Sequence, residues 1–115
     1  MSRLLCADAL SAALPDALPA GEEVVAGAPT ARYLELAAPA GVEVGLWEMT
    51  PGAARDTEAD EVFVVLSGRA TVTVSSQDDD ELLELTAGSV VRLRAGDRTT
   101  WTVHEPLRKL YVQLP

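Results

Sequence analysis

The sequence has very little of the chemistry that metals, disulfides and membranes require. It contains one cysteine, Cys6, and one histidine, His104, in 115 residues. A single cysteine excludes an internal disulfide and fits a reducing compartment, so we expect a cytoplasmic protein. No apolar run approaches the ~20 residues of a membrane-spanning helix, so we expect no membrane partner. One imidazole is too few for a histidine-based transition-metal site.

Basic residues are also scarce. Nine Lys and Arg face 18 Asp and Glu, which gives a net charge of −9. Nucleic-acid binding depends on a basic face, so this balance argues against DNA or RNA as a partner. The apolar stretch after Arg3 is interrupted by Asp8 and Asp16, a pattern that is not typical of a secretion signal.

Two regions differ in pattern. Residues 1–20 are rich in Ala and Leu and predict an N-terminal arm or a short helix that ends at Pro15 or Pro19. Residues 21–115 consist of short alternating segments separated by Gly, Pro and Asp, which predicts an all-β sandwich or barrel. The predicted strands cover residues 22–27, 31–39, 41–50, 61–66, 69–74, 81–86, 89–94, 99–105 and 108–114. Gly68 and Gly88 are predicted to form tight turns between strands.

The segment 61–66, with the sequence EVFVVL, is apolar on both faces. A barrel strand that is open to water would carry polar side chains on its outer face, so this one must be covered from outside. The alternatives are the N-terminal strands or a second copy of the chain, and we expect a homodimer.

Two spaced motifs carry a family resemblance. Glu61 is followed after six residues by Gly68, and Gly88 precedes Arg94, Ala95 and Gly96. These resemble the end of the first cupin motif and the start of the second. From about residue 27 to residue 112 the chain is similar to the cupin-3 group of small single-domain cupins, which includes ethanolamine-utilisation and ureidoglycine-type cupins. The resemblance implies an RmlC-like double-stranded β-helix, a jelly-roll barrel.

The chain departs from this family at the metal site. The resemblance implies three His and one Glu converging on an ion inside the barrel, and only Glu61 remains. The histidine positions hold Arg55 and Thr57 (or Ala54 and Asp56) and then Thr99. We therefore predict no metal and no cofactor. An all-oxygen site on the acidic run 56–61 matches no calcium loop, and a solvated acidic turn is the simpler interpretation.

Aromatic and polar side chains remain for the barrel interior, as in small-molecule pockets. The predicted ligand-binding residues are Trp47, Arg55, Thr57, Phe63, Thr99, Trp101 and Tyr111. Alternatively, these side chains simply fill the core. Arg92 and Arg94 share one strand face, directed either to solvent or to the barrel mouth.

Glu61 is the candidate catalytic residue, because an unpaired carboxyl inside an apolar barrel can exchange a proton near neutral pH. Its alternative role is structural, paired with Arg55 or Arg92.

The sequence therefore predicts a metal-independent barrel that binds a small organic molecule. Two alternatives stay open: a metal-independent isomerase, lyase or cyclase using Glu61 as general acid or base, and a degenerate cupin that serves protein–protein contact. An open cavity lined by Trp47 and Trp101 with Glu61 paired favours binding. An open cavity with Glu61 unpaired favours catalysis, and a filled barrel favours the contact role.

Overall fold

A computed structural model describes residues 2–115, and the regular structure of these residues is nearly all β. Apart from one 3-10 turn at Pro39–Gly41, they contain no helix. The strands are β1 (Leu18–Pro19), β2 (Glu23–Ala26), β3 (Thr30–Ala37), β4 (Glu43–Met49), β5 (Gly52–Thr57), β6 (Glu61–Ser75), β7 (Asp80–Leu85), β8 (Val90–Leu93) and β9 (Arg98–Gln113).

The strands pair antiparallel into a nearly closed barrel. Their order is β1-β3-β4-β9-β5-β2, and β6 pairs with β7, β8 and β9. The long strand β9 joins the two halves, because its first part pairs with β5 and its last part with β4, while β6 runs along both parts. This confirms the predicted jelly roll.

Alternation of side chains sets the inside and the outside of the barrel. In β6, Phe63, Val65 and Val72 are at most 2% exposed, while Thr71 hydrogen-bonds to Glu84 at the surface. Side chains two residues apart on a strand share a face, so the Val/Thr alternation places valines in the core.

Two predicted strand boundaries are wrong. The segments on either side of Gly68 form one bent strand, β6, and those on either side of Pro106 form one strand, β9. Gly68 has a φ of +91° at a bulge in the β6–β9 ladder, not in a turn. A Cβ there would lie 2.7 Å from the Cα of Leu107, so close backbone approach explains the glycine. Pro106 has no ladder partner at this irregularity, which is where a strand tolerates proline.

Within the predicted N-terminal arm, residues 1–20, Met1 lies outside the described residues, residues 2–17 form turns and irregular structure, and Leu18–Pro19 form β1; a short helix is not found. The guanidinium of Arg108 donates to the carbonyl oxygens of Ala9 (3.0 Å) and Ala12 (2.7 Å). These carbonyls bond to a side chain of β9 instead of to N–H groups of a helix, so the arm is tied to the outside of the barrel. Across residues 2–115, no helix has the length and apolarity to cross a membrane.

The outer face of β6 stays partly uncovered in the single chain. Val62 is 39% exposed, and Val90, which pairs with the half-buried Val64, is 70% exposed. Within the described residues, the arm and the N-terminal strands thus leave a patch of aliphatic side chains at the surface.

Candidate functional site

A cavity of about 380 Å³ opens into the barrel between β4, β5, β6 and β9. Trp47 and Trp101 line it, together with Tyr111 and the buried side chains of Glu61 and Lys109. The barrel is therefore open at this end, in the size range of a small-molecule site.

A buried ion pair lies in the wall of this cavity. Lys109 Nζ is 2.7 Å from Glu61 Oε2, and the two residues are 5% and 8% exposed. The same ammonium lies 4.3, 4.7 and 4.9 Å from the ring centroids of Phe63, Trp47 and Trp101. The carboxylate neutralises the buried charge and the ring faces add cation–π attraction, which together offset the loss of water.

Trp101 is held by a small hydrogen-bond network. Its indole N–H lies 3.1 Å from both Glu58 Oε2 and Thr99 Oγ1, and the Thr99 hydroxyl donates to the same Glu58 oxygen at 2.6 Å. The Trp101 ring centroid is 5.4 Å from that of Trp47, so Glu58 fixes one half of the cavity's aromatic wall.

Tyr111 reaches across the sheet to a second carboxylate. Its hydroxyl donates to Glu43, and its ring passes over Gly45, the residue opposite it on β4. A Cβ at Gly45 would collide with the Tyr111 ring and lie 2.7 Å from the carbonyl oxygen of Leu34, so only glycine fits. Burial raises the pKa of Tyr111 well above its ordinary value, and Glu43 adds to this, so the phenol stays protonated.

Asp56 is the third carboxylate at the cavity that pairs with no cation among the described residues. Burial raises the pKa of Asp56 above its ordinary value, and the neighbouring negative charge of Glu58 raises it further. The backbone N–H of Thr57 partly offsets both effects. Asp56 and Glu58 therefore make their side of the cavity negatively charged.

The structure brings together most of the predicted site residues. Trp47, Thr57, Trp101, Tyr111 and Glu61 line the cavity. Two others lie directly behind this lining: Phe63 under the Lys109 ammonium and Thr99 beside Trp101.

The predicted role of Arg55 in the ligand-binding cavity is wrong, because this residue lies outside the barrel interior. It is exposed and pairs with Glu23 at 3.2 Å, in a second, more open cleft of about 920 Å³ on the outer face. Side chains on β5 alternate, and the inward positions are Ala54 and Asp56, the second of the two registers that the sequence left open.

The prediction that Glu61 pairs with Arg55 or Arg92 is also wrong. Neither Arg55 nor Arg92 reaches Glu61. Arg92 binds Asp60 at 3.0 Å on the outer face, and Arg94 is exposed. The partner is Lys109 of β9, whose side chain points into the barrel.

Lys109, Glu43 and Glu58 are the site residues that the sequence interpretation missed. Strand alternation contains the signal for Lys109, which is two residues before Tyr111 on β9 and so shares its inward face. Glu43 shares the face of Trp47 on β4 by the same rule. Glu58 follows the end of β5, where alternation gives no guidance.

The residues in this barrel do not fit a metal ion. The first two histidine positions of the cupin motif correspond inside the barrel to Ala54 and Asp56, and the third to Thr99. Glu61, the fourth position, has its Oε2 engaged by the Lys109 ammonium. No three His, Cys, Asp or Glu side chains of residues 2–115 converge as a metal site.

The chain resembles several solved structures. A protein of unknown function from Rhizobium leguminosarum bv. viciae 3841 is 25% identical with a TM-score of 0.63, over 74% of this chain and 81% of that one. A putative ethanolamine utilization protein Q from Salmonella typhimurium LT2 is 21% identical with a TM-score of 0.63, over 75% and 70%. The EutQ protein of Clostridium difficile is 19% identical with a TM-score of 0.60, over 76% and 69%.

No curated protein matches the sequence significantly. The family model described as the EutQ-like cupin domain matches residues 36–111, from the end of β3 into β9, which contain most of the cavity lining; Gly21, Tyr33 and Gln113 lie outside the match. The chain therefore belongs to the family of EutQ-like cupin domains, Cupin_3.

Proposed function

We propose that this cupin domain binds a small organic molecule in its barrel cavity without a metal ion. The observation that carries the proposal is the cavity of about 380 Å³, which has both tryptophans of the chain in its wall and a buried ion pair beside them. Aromatic walls with a few oriented polar groups are the usual composition of a small-molecule site.

The acid–base alternative is less well supported. A general base needs a lone pair directed at the substrate, and a general acid needs its own proton. Glu61 instead accepts a hydrogen bond from Lys109 at 2.7 Å in a site where both are more than nine-tenths buried. This arrangement stabilises the carboxylate as a fixed partner. We therefore favour binding over an isomerase, lyase or cyclase that uses Glu61.

The proposal is tested by a ligand screen with a blocked cavity as control. Small acids, sugars, alcohols and amines are screened by thermal shift, since a ligand of the folded state stabilises it in proportion to RT ln(1 + [L]/Kd). Ala59→Phe places a ring at the mouth, where Ala59 is exposed and lines the cavity. Ala87→Phe is the matched control in an exposed turn.

We expect hits that stabilise the parent chain and the Ala87 variant but not the Ala59 variant. Hits that stabilise all three equally would place binding elsewhere. A screen without any hit would oppose the binding function and support the contact role.

We also propose that a second copy of the chain covers the aliphatic patch on the outer face of β6 and β8. Val62 and Val90 are exposed there, and a two-fold axis through a patch makes it self-complementary. A solution mass twice the 12.2 kDa of the chain, reduced to one copy by Val90→Glu, is the expected result. A mass of one copy at high concentration would rule out the dimer.

We further infer a cytoplasmic protein that has neither nucleic acid nor membrane as a partner. The unpaired Cys6 and the net charge of −9 support this. Cell fractionation tests the location: recovery with secreted or membrane fractions would contradict it.

A further inference from the structure

Three carboxylates of the cavity have no cationic partner among the described residues 2–115. Glu43, Asp56 and Glu58 all line the cavity, and none takes part in an ion pair. Among the described residues of the lining, Lys109 is the only basic side chain, and Glu61 already neutralises it. The cavity therefore carries a surplus of negative charge that the described residues do not balance.

Two of these carboxylates are oriented by neutral donors. Glu58 accepts from the Thr99 hydroxyl at 2.6 Å and from the Trp101 indole at 3.1 Å, and Glu43 accepts from Tyr111. Such donors fix the carboxylate oxygens and stabilise their charge but do not cancel it. The charge is thus preorganised, which reduces the cost of binding a cation there.

The buried side chain of Lys109 shows independently that the walls of this cavity accommodate an ammonium group. Its ammonium, at 5% exposure, is held by one carboxylate at 2.7 Å and by three rings at 4.3–4.9 Å. An ammonium group is therefore already stable inside this barrel on aromatic faces and a carboxylate. Trp47 is shared between this cage and the cavity, and Tyr33, 57% exposed, adds a ring at the mouth opposite it.

We propose that the molecule bound in the cavity is a small organic ammonium ion, with its charge beside Asp56 and Glu58 and its alkyl groups against Trp47. This rests on the proposed function and narrows it to one ligand class. Carboxylates attract the charge at short range, and the aromatic faces add cation–π attraction in a partly desolvated site. An anionic ligand would meet three like charges and is excluded.

The test compares choline with its neutral carbon isostere, 3,3-dimethyl-1-butanol, on the full chain at constant ionic strength. Trp47 and Trp101 are the two tryptophans of the chain, and both line the cavity, so indole fluorescence and the indole N–H resonances report from this site. We expect saturable changes with choline at millimolar concentrations and at least about tenfold weaker binding of the alcohol, a difference of about 1.4 kcal/mol.

Asp56→Asn separates binding from folding. It removes one cavity charge and is expected to weaken choline binding about tenfold, although loss of an uncompensated carboxylate stabilises the fold. Glu105→Gln is the matched control: it removes one charge from an exposed residue outside the cavity and leaves choline affinity unchanged.

Equal or tighter binding of the alcohol would overturn the ammonium assignment and leave the binding function standing. If choline affinity falls equally in the Asp56 and Glu105 variants, the change reflects the overall net charge of the protein. That result would also overturn the ammonium assignment. Absence of any indole response to choline overturns the assignment as well, and the chemically mixed screen then decides the binding function by itself.

Discussion

The ion pair between Lys109 and Glu61 gives the sharpest test of how this barrel interior is built. Lys109→Met keeps the length of the side chain and removes the ammonium, which leaves the Glu61 carboxylate 8% exposed with no cation beside it. Breaking a buried pair from one side costs about 3–5 kcal/mol, because the remaining charge is desolvated without compensation. A domain of this size has about 5–15 kcal/mol of stability in total, so the variant should be severely destabilised.

The double variant Glu61→Leu with Lys109→Met has the opposite expectation. Replacing both partners by apolar side chains removes the desolvation cost together with the attraction, and such replacements are neutral or stabilising by about 1–4 kcal/mol. Phe63, Trp47 and Trp101 already form an apolar surround at 4.3–4.9 Å from the ammonium. The double variant should therefore recover most or all of the stability that the single variant loses.

Urea unfolding followed by circular dichroism measures the whole cycle, and equal slopes against urea show that the unfolded state is unchanged. Glu23→Gln is the control, because it breaks the Arg55–Glu23 pair, whose side chains are 59% and 63% exposed. An exposed pair contributes about 0–1 kcal/mol. If Lys109→Met costs no more than this control, the pair is not desolvated and the reasoning about the site is wrong.

Three further predictions concern neighbouring features. Gly45→Ala should cost about 1–3 kcal/mol in urea unfolding, because its Cβ overlaps the Tyr111 ring; unchanged stability would mean that the ring moves freely. The pKa of Asp56 is raised in the folded state, so stability should fall as pH rises through that pKa; Asp56→Asn should remove this part of the slope and stabilise the protein at neutral pH, and an identical slope in both proteins would contradict the assignment. Arg108→Ala removes the hydrogen bonds that hold two carbonyls of the N-terminal arm, so amide hydrogen exchange of the arm should accelerate while that of the barrel stays slow; unchanged exchange of the arm would mean that Arg108 does not anchor it.

Strand alternation predicted the barrel and most of its aromatic wall. Trp101 and Val103 share one face of β9 and both are buried, as their two-residue spacing requires. Lys109 is an exception to the usual pattern, because lysine side chains are almost never fully buried unless they are paired. The physical reason for the exception is the pair with Glu61, which comes from a different strand and has no signal in the local sequence.

Alternation fails where the inward side chains are not apolar. The segment Ala53–Ala54–Arg55–Asp56 has no apolar period, so neither of its two registers could be preferred, and the interior position is taken by the acidic residue. Gly68 and Pro106 predict strand ends where the structure has irregularities inside long strands, for a related reason. Glycine and proline punctuate both turns and bulges, and only the pairing of β6 with β9 over their full lengths distinguishes the two.

Glu61 has a different role in this barrel from that of a metal ligand, because its partner is Lys109. In a metal-binding cupin a carboxylate at this position would help hold a divalent ion, whose charge exceeds that of one carboxylate. Here a tethered ammonium takes that carboxylate, and the pair is neutral. The remaining acidic side chains, Glu43, Asp56 and Glu58, therefore keep their full effect on whatever enters the cavity. The positive charge of a metal centre comes from the ion and not from its neutral histidine ligands, so a barrel with these carboxylates and no ion presents negative charge, which favours the proposed cationic ligand.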